Sequence, residues 1–310
     1  MNRAYAAPFE TELRHIFADA ERILSRFPAH VRPYGLDYLA RFNPFGQPSA
    51  NYICYLLPYW MQEETRLPDE LCRKLSLAGT LLMLYFFIQD DVMDETAPTG
   101  SKTKLAFANL LYIESLQLLQ QLFPVDSSFW QYFKQYIEDW TAGVVLEGDV
   151  DFYHHNLIQV GLKASPVKLM STGSLMLAGQ SERISDYEHL IGHILVLLQM
   201  SDDLMDWRAD LQDGNYNCLL AAVKLALGKQ QITAQEAGTA IAVRGIAGSY
   251  AKKAQEINFD LNGKPSPSHL RAFQHSLCEV MTAFALKTEE HKRSLVLGGL
   301  YHQLSKSREK

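Results

Sequence analysis

The chain has 310 residues, 47% of them apolar and 21% charged, with a formal net charge of −6. That is the composition of a folded globular protein: the mildly acidic balance leaves no basic face for nucleic acid, and its longest apolar stretch reads as too short and too interrupted to span a membrane. The four cysteines, Cys54, Cys72, Cys218 and Cys278, lie far apart with no CxxC pair, which points to buried thiols in a reducing cytosol rather than a disulfide framework.

The opening MNRAYAAPFETELRHIF lacks the apolar core of a secretory signal, so a cytoplasmic location is expected. Eight of the twelve prolines fall before residue 100, which predicts short helices and loops in the first third and longer helices beyond it. LAGTLLMLYFF (77–87) is a strongly apolar run that ends in IQDDVMDE (88–95). LAFANLLYIESLQLLQQLF (105–123) repeats its apolar residues at three and four positions and predicts a helix. In EGDVDFYHHN (147–156), His154 and His155 are adjacent and so point apart; beside Asp149 and Asp151 they read as a solvated turn rather than a transition-metal site. SDYEHLIGHILVLLQMSDDLMDW (185–207) predicts a second long helix. LNGKPSPS (261–268) is a loop before a final helix, and the basic tail HQLSKSREK is a solvated helix end. No alternating strand, hairpin turn, repeat or linker appears. The expectation is an all-α protein of about ten or more helices, forming a single domain over residues 1–310.

The acidic clusters carry the chemistry. IQDDVMDE places four carboxylates in six positions directly after a core-like run. The pattern recurs as QMSDDLMD (199–206), again after an apolar helical run. On a helix, acidic residues three and four apart share one face, so Asp90, Asp91 and Asp94 form one oxygen-rich patch and Asp202, Asp203 and Asp206 another, with Asp210 one turn further on. Like charges so placed cost a helix a few tenths of a kcal/mol per pair. A hard divalent cation relieves that cost, and Mg²⁺ takes one or two carboxylates while keeping positions for water and phosphate oxygens. Two such patches, each at the end of an apolar helix, suggest a metal-bridged diphosphate over an apolar cavity. The bland alternative for either patch alone is a solvated helix end.

These two DDxxD segments resemble the motifs of the class I isoprenoid synthases, and most closely those of the trans-prenyltransferase branch. Asp90–Asp94 matches the first motif; Gln199 with Asp202–Asp206 matches the second. DLQDGNYN (210–217) is similar to the D-x-x-x-G-K segment of that branch, with Asn215 where lysine is usual. EGDVDFYHHN resembles its G-Q-x-x-D-L segment, and Lys163-Ala164-Ser165 its Lys-Thr-Ala/Gly segment. The resemblance, covering roughly 75–220, implies an isoprenoid synthase bundle around a central apolar cavity. It implies Mg²⁺ (three ions, with Mn²⁺ as the alternative) on Asp90, Asp94, Asp202 and Asp206, and Asp91 and Asp203 as residues that orient them. Lys163 is implied as the diphosphate contact, ahead of Lys102, Lys104, Lys168 and Arg208. Tyr85 and Phe86, four and five places before Asp90, correspond to the pocket floor, where aromatic faces suit a carbocation. Tyr112, Trp140, Phe152 and Tyr153 fit ordinary core packing better. Gln89 and Gln199 fit either substrate contact or backbone bonding. A prenyl diphosphate is the implied small-molecule partner, with a homodimer as the implied assembly and no integral membrane association.

The departures point to a subclass. Chain-elongating enzymes carry a Gly-Lys-Arg-x-Arg stretch upstream and an Arg-Arg-Gly after the first motif, for a second diphosphate. Here the corresponding stretches read RFNPFGQPSANYICYLLPYW and ETAPTGSKTKLAF, with far less positive charge than two diphosphates require. The leading expectation is therefore a terpene synthase, a carbon–oxygen lyase that ionises one allylic diphosphate and cyclises or quenches the cation. The N-D-x-x-S-x-x-x-E motif usual at the second site of such enzymes is absent. The alternatives are an elongating prenyltransferase using isopentenyl diphosphate, a non-catalytic all-α partner subunit, and a metal-dependent diphosphohydrolase.

Overall fold

The computed structural model describes residues 4–46, 51–94 and 100–306, and side chains as far as residue 294. Glu95, the fourth carboxylate of the first cluster, lies outside the described residues, as do the side chains of the basic tail. Among the described residues there are thirteen α-helices, three 3₁₀ segments and no strand, only an isolated bridge between Glu147 and Val150. The expected all-α architecture is the observed one. The chain forms two compact units. One comprises Met1–Leu146, Gly161–Leu195 and Pro265–Phe273; the other comprises Glu147–Val160, Val196–Lys264 and Gln274–Lys310.

The first unit is built from helices whose apolar spacing sets their buried faces. In α1 (Glu10–Leu24) the residues at helical spacing, Leu13, Ile16, Phe17, Ala20 and Leu24, are all buried. Around it lie α2 (Arg32–Phe42), α3 (Tyr52–Thr65), α4 (Asp69–Asp94), α5 (Ser101–Gln120) and α6 (Phe129–Val145). Helix α4 is buried on every side from Leu75 to Leu84, as a helix apolar all round must be. It packs closely on α8 (Lys168–Leu177): a Cβ at Gly79 would meet the Met170 sulfur at 2.6 Å, so any larger residue there would require Met170 to shift. Trp60 donates its indole N–H to the Tyr5 carbonyl (2.8 Å), and Arg73 grips Glu12 through both oxygens, 2.8–3.0 Å.

The second unit contains α7 (Phe152–His155), the later part of α9 (Ile184–Asp213), α10 (Cys218–Leu227), α11 (Ala234–Val243), α12 (Ile246–Asn262) and most of α13 (Ser268–Lys306). Asn217 caps α10 by accepting from the Leu220 N–H, and Thr233 with Glu236 forms a capping box on α11, both strong start signals. The stretch 263–267 separates α12 from α13, as LNGKPSPS implies.

Two expectations need correction. The proline-rich first third does not hold only short helices: α4 has 26 residues, whereas α10 and α11, beyond it, have 10 each. Pro33 sits in the first turn of α2 and Pro68 just precedes α4, positions where a missing N–H costs nothing, and α3 continues through Pro58. The second correction concerns α4, which by length and composition is apolar enough to cross a membrane, with a mean hydropathy of 1.5 over its best window. Since 72% of that window is buried inside the protein, it behaves as a core helix. All four cysteines are free and buried.

Candidate active site

In the first unit, α4 leaves the core at Ile88 and carries Gln89, Asp90, Asp91 and Asp94 in its last turn and a half. A helix C-terminus holds partial negative charge and favours cations, yet no basic residue lies in that turn. The countercharge comes from elsewhere in the chain: Lys163 Nζ stands 3.4 Å from Asp90 Oδ1, with the lysine side chain only 17% exposed. Lys163 sits in the 3₁₀ segment Leu157–Val167. Asp91 accepts a 2.9 Å hydrogen bond from the Tyr38 hydroxyl of α2. Burial and the Asp91 charge push that phenol far above its ordinary range.

Behind these carboxylates lies a cluster of aromatic rings. Tyr85 meets Tyr112 at 4.8 Å and Phe86 at 4.9 Å, and Phe86 meets Trp140 of α6 at 4.8 Å. Phe86 is buried; Tyr85 is half-buried, and burial raises its hydroxyl and that of Tyr112. Thus Tyr112 and Trp140, which the sequence favours as plain core, pack on the two residues expected to line the floor. Lys168 is committed to Asp139 at 3.5 Å.

In the second unit the motif lies inside α9 rather than at its end. Asp203 is buried and fully engaged: it accepts from the Cys218 N–H (2.6 Å) on one oxygen and from Gln199 Nε2 (2.8 Å) on the other. Gln199 thus donates to the motif itself. Asn217 adds a clasp, donating to the Asp203 carbonyl (2.8 Å) and to Asp210 Oδ2 (2.7 Å). Gly214, at φ 83°, turns the chain back after α9 so that its own N–H and that of Asn215 meet the Asp210 carbonyl. Asn215, at the position where lysine is usual, is held there by its backbone. Asp202 is set deep in the protein although part of its surface reaches solvent, and among the described residues no donor holds its carboxylate. Burial, then the charges of Asp203 and Asp206, push its carboxyl up to about 7; Asp203 is raised to about 6, chiefly by burial, against the pull of its donors. Asp206 is exposed.

The His154-His155 pair holds no metal-like geometry. Asp151 caps α7, with His154 Nδ1 2.6 Å from its carboxylate and His155 Nδ1 2.9 Å from its carbonyl, while Tyr216 donates to the same carboxylate at 3.1 Å. Among the described residues no three His, Cys, Asp or Glu side chains converge on one point. The donor set nevertheless fits Mg²⁺, which asks for one or two carboxylates at a time. Burial and the neighbouring carboxylates both oppose the charge on Asp202, and a cation placed there would relieve that cost.

Sequence reasoning missed Tyr38, which no local signal ties to Asp91. It also missed Asn217, although an Asn before the apolar run CLLAAVKLAL is an N-cap signature that could have found it.

No protein-family model and no curated protein matches the chain. Among solved structures it is similar to a geranylgeranyl pyrophosphate synthase from Lactobacillus brevis ATCC 367, with 16% identity and a TM-score of 0.67 over 92% of this chain and 99% of that one. Likeness at that identity shows the fold: an all-α isoprenoid synthase fold, as the two aspartate motifs imply.

Proposed function

We propose that this chain is an isoprenoid synthase of the prenyltransferase kind. It would bind an allylic prenyl diphosphate, ionise its C–O bond and pass the prenyl cation to isopentenyl diphosphate with release of inorganic diphosphate. One observation carries the reading: two DDxxD sets on long, largely buried helices, in a fold shared with a prenyl diphosphate synthase. Asp90, Asp94, Asp202 and Asp206 are the residues that would hold Mg²⁺. Bound there, the metal supplies Lewis-acid stabilisation of the charge that develops on the departing diphosphate. Lys163 offers a further positive contact to those oxygens. Tyr38 fixes Asp91, while Cys218, Gln199 and Asn217 fix Asp203, so the motif helices present their carboxylates in set directions. Tyr85 and Phe86 supply apolar, π-faced wall that excludes water and tolerates a cation at roughly 0.5–2 kcal/mol per ring.

A second reading, the terpene synthase, is supported by a specific feature: neither a Gly-Lys-Arg-x-Arg stretch nor an Arg-Arg-Gly is present. Two diphosphates side by side need more countercharge than one. Incubating the protein and magnesium with ten-, fifteen- and twenty-carbon allylic diphosphates, alone and with isopentenyl diphosphate, separates the readings. Elongated diphosphates formed only in the mixture support the first; hydrocarbons or cyclic alcohols from the allylic diphosphate alone support the second. Free prenyl alcohol with inorganic monophosphate would point to a diphosphohydrolase. No turnover under any condition would leave the non-catalytic subunit.

A further inference from the structure

We infer that Gly143 is a positioning residue for Lys163: the missing side chain at position 143 is what lets Lys163 reach Asp90. The consequence for substrate rests on the function proposed above; the positional claim does not.

Gly143 is buried in the last turn of α6 and is not among the glycines with positive φ. Glycine in a helix costs about 1 kcal/mol relative to alanine, so backbone freedom does not explain it here. Close approach does. A Cβ at position 143 would lie 2.8 Å from the Lys163 nitrogen, 3.0 Å from the Leu162 carbonyl carbon and 3.0 Å from the Leu162 Cβ. Two of these atoms are main chain and cannot swing aside.

The same face of α6 touches the surrounding elements one after another. Tyr136 bonds Thr172 and Glu188 at 2.8 Å, Asp139 pairs with Lys168 at 3.5 Å, and Trp140 meets Phe86 with its ring tilted, 4.8 Å between centroids. These residues and Gly143 stand at i, i+3, i+4 and i+7, one helical stripe. The first three reach their neighbours through side chains; at Gly143 the neighbouring backbone itself rests on the helix.

To restore ordinary contact of about 3.5 Å, an alanine at 143 must push the 162–163 backbone back by roughly 0.7 Å. The Lys163–Asp90 separation is already 3.4 Å, so a retreat of that size opens the pair to about 4 Å, the outer limit of an ion pair. The Lys163 side chain is only 17% exposed.

The test uses the full chain with its lysines reductively ¹³C-methylated, the Lys163 resonance being identified by its loss in Lys163→Arg. In Gly143→Ala that resonance should leave its wild-type position and move to the one it takes in Asp90→Asn. Affinity for magnesium pyrophosphate should fall about tenfold, the scale of one lost hydrogen bond to a charged group. Adding Lys163→Ala to Gly143→Ala should weaken binding no further. A folded Gly143→Ala whose Lys163 resonance stays at the wild-type position overturns the inference. Should Gly143→Ala not fold, Leu162→Gly loosens the same segment from the other side and should displace the resonance alike; an unmoved signal there is equally fatal. A wild-type protein that binds no magnesium pyrophosphate sinks the proposed function instead, while the resonance still decides the role of Gly143.

Discussion

The two aspartate motifs share a sequence pattern and differ in every physical circumstance. Asp90, Asp91 and Asp94 close a helix, where the backbone already concentrates negative charge, and they are partly exposed. Their relief comes from a lysine and a tyrosine brought in from distant sequence, Lys163 and Tyr38. Asp202, Asp203 and Asp206 lie within a helix that continues to Asp213. There one carboxylate is an anchor, bonded on both oxygens, while its neighbour Asp202 is left deep and raised to about 7. The lesson is that DDxxD specifies which oxygens are available, and the surroundings decide which of them is held by protein donors and which is not.

The sharpest way to break this comparison is to remove one member of each set. Asp90→Ala and Asp202→Ala should each lower turnover on the order of 10²–10³-fold at saturating magnesium, the scale of losing one group that stabilises transition-state charge. Wild-type rates in either variant would end the ligand assignment. Asp203→Ala should act on the fold instead, because it leaves the buried Cys218 N–H without an acceptor, at about 1–3 kcal/mol, and frees the half-buried Gln199 amide as well. Asp91→Ala removes a single hydrogen bond, the one from the Tyr38 hydroxyl, and should cost about 1 kcal/mol. Equal costs for the two in urea denaturation would erase the distinction between anchor and rim. Tyr38→Phe removes one hydrogen bond to Asp91, a loss of about 1 kcal/mol, and should lower turnover several-fold with little change in melting temperature. No change in turnover would show that Asp91 needs no fixing.

The smallest effect is in pH. Asp202 and Asp203 bind their protons more tightly folded than unfolded, so they favour the fold when protonated, below about pH 4, and that contribution is lost as pH rises through about 6 and 7. The metal-free protein should melt a few degrees lower at pH 8 than at pH 5, and Asp202→Asn should flatten most of that slope. Glu12, whose carboxyl is lowered by Tyr59 and Arg73 against its burial, acts only below its ordinary value of 4.5 and with opposite sign. A melting temperature that rises from pH 5 to pH 8 in the wild type would mean Asp202 is not held against its charge.

Much of this was legible in the sequence because it is periodic. The 3.6-residue spacing of α5 and α9 and the two carboxylate sets need only local rules. What was not legible depends on distant pairs. Nothing near Tyr38 announces Asp91, 53 residues away, and a glycine in a helix, such as Gly143, shows its use only when the Lys163 backbone is seen against it. Proline count misled for α4 because Pro68 sits ahead of the helix rather than within it. The apolar length of that helix is a core property here, as its burial shows.

The most direct test of the account is calorimetric titration of inorganic pyrophosphate with magnesium into the wild type, Asp90→Ala and Asp202→Ala. The account predicts one pyrophosphate per wild-type chain, strictly magnesium-dependent, and loss of that binding in both variants. Undiminished binding in either variant would contradict the proposal that its aspartate helps to hold magnesium pyrophosphate.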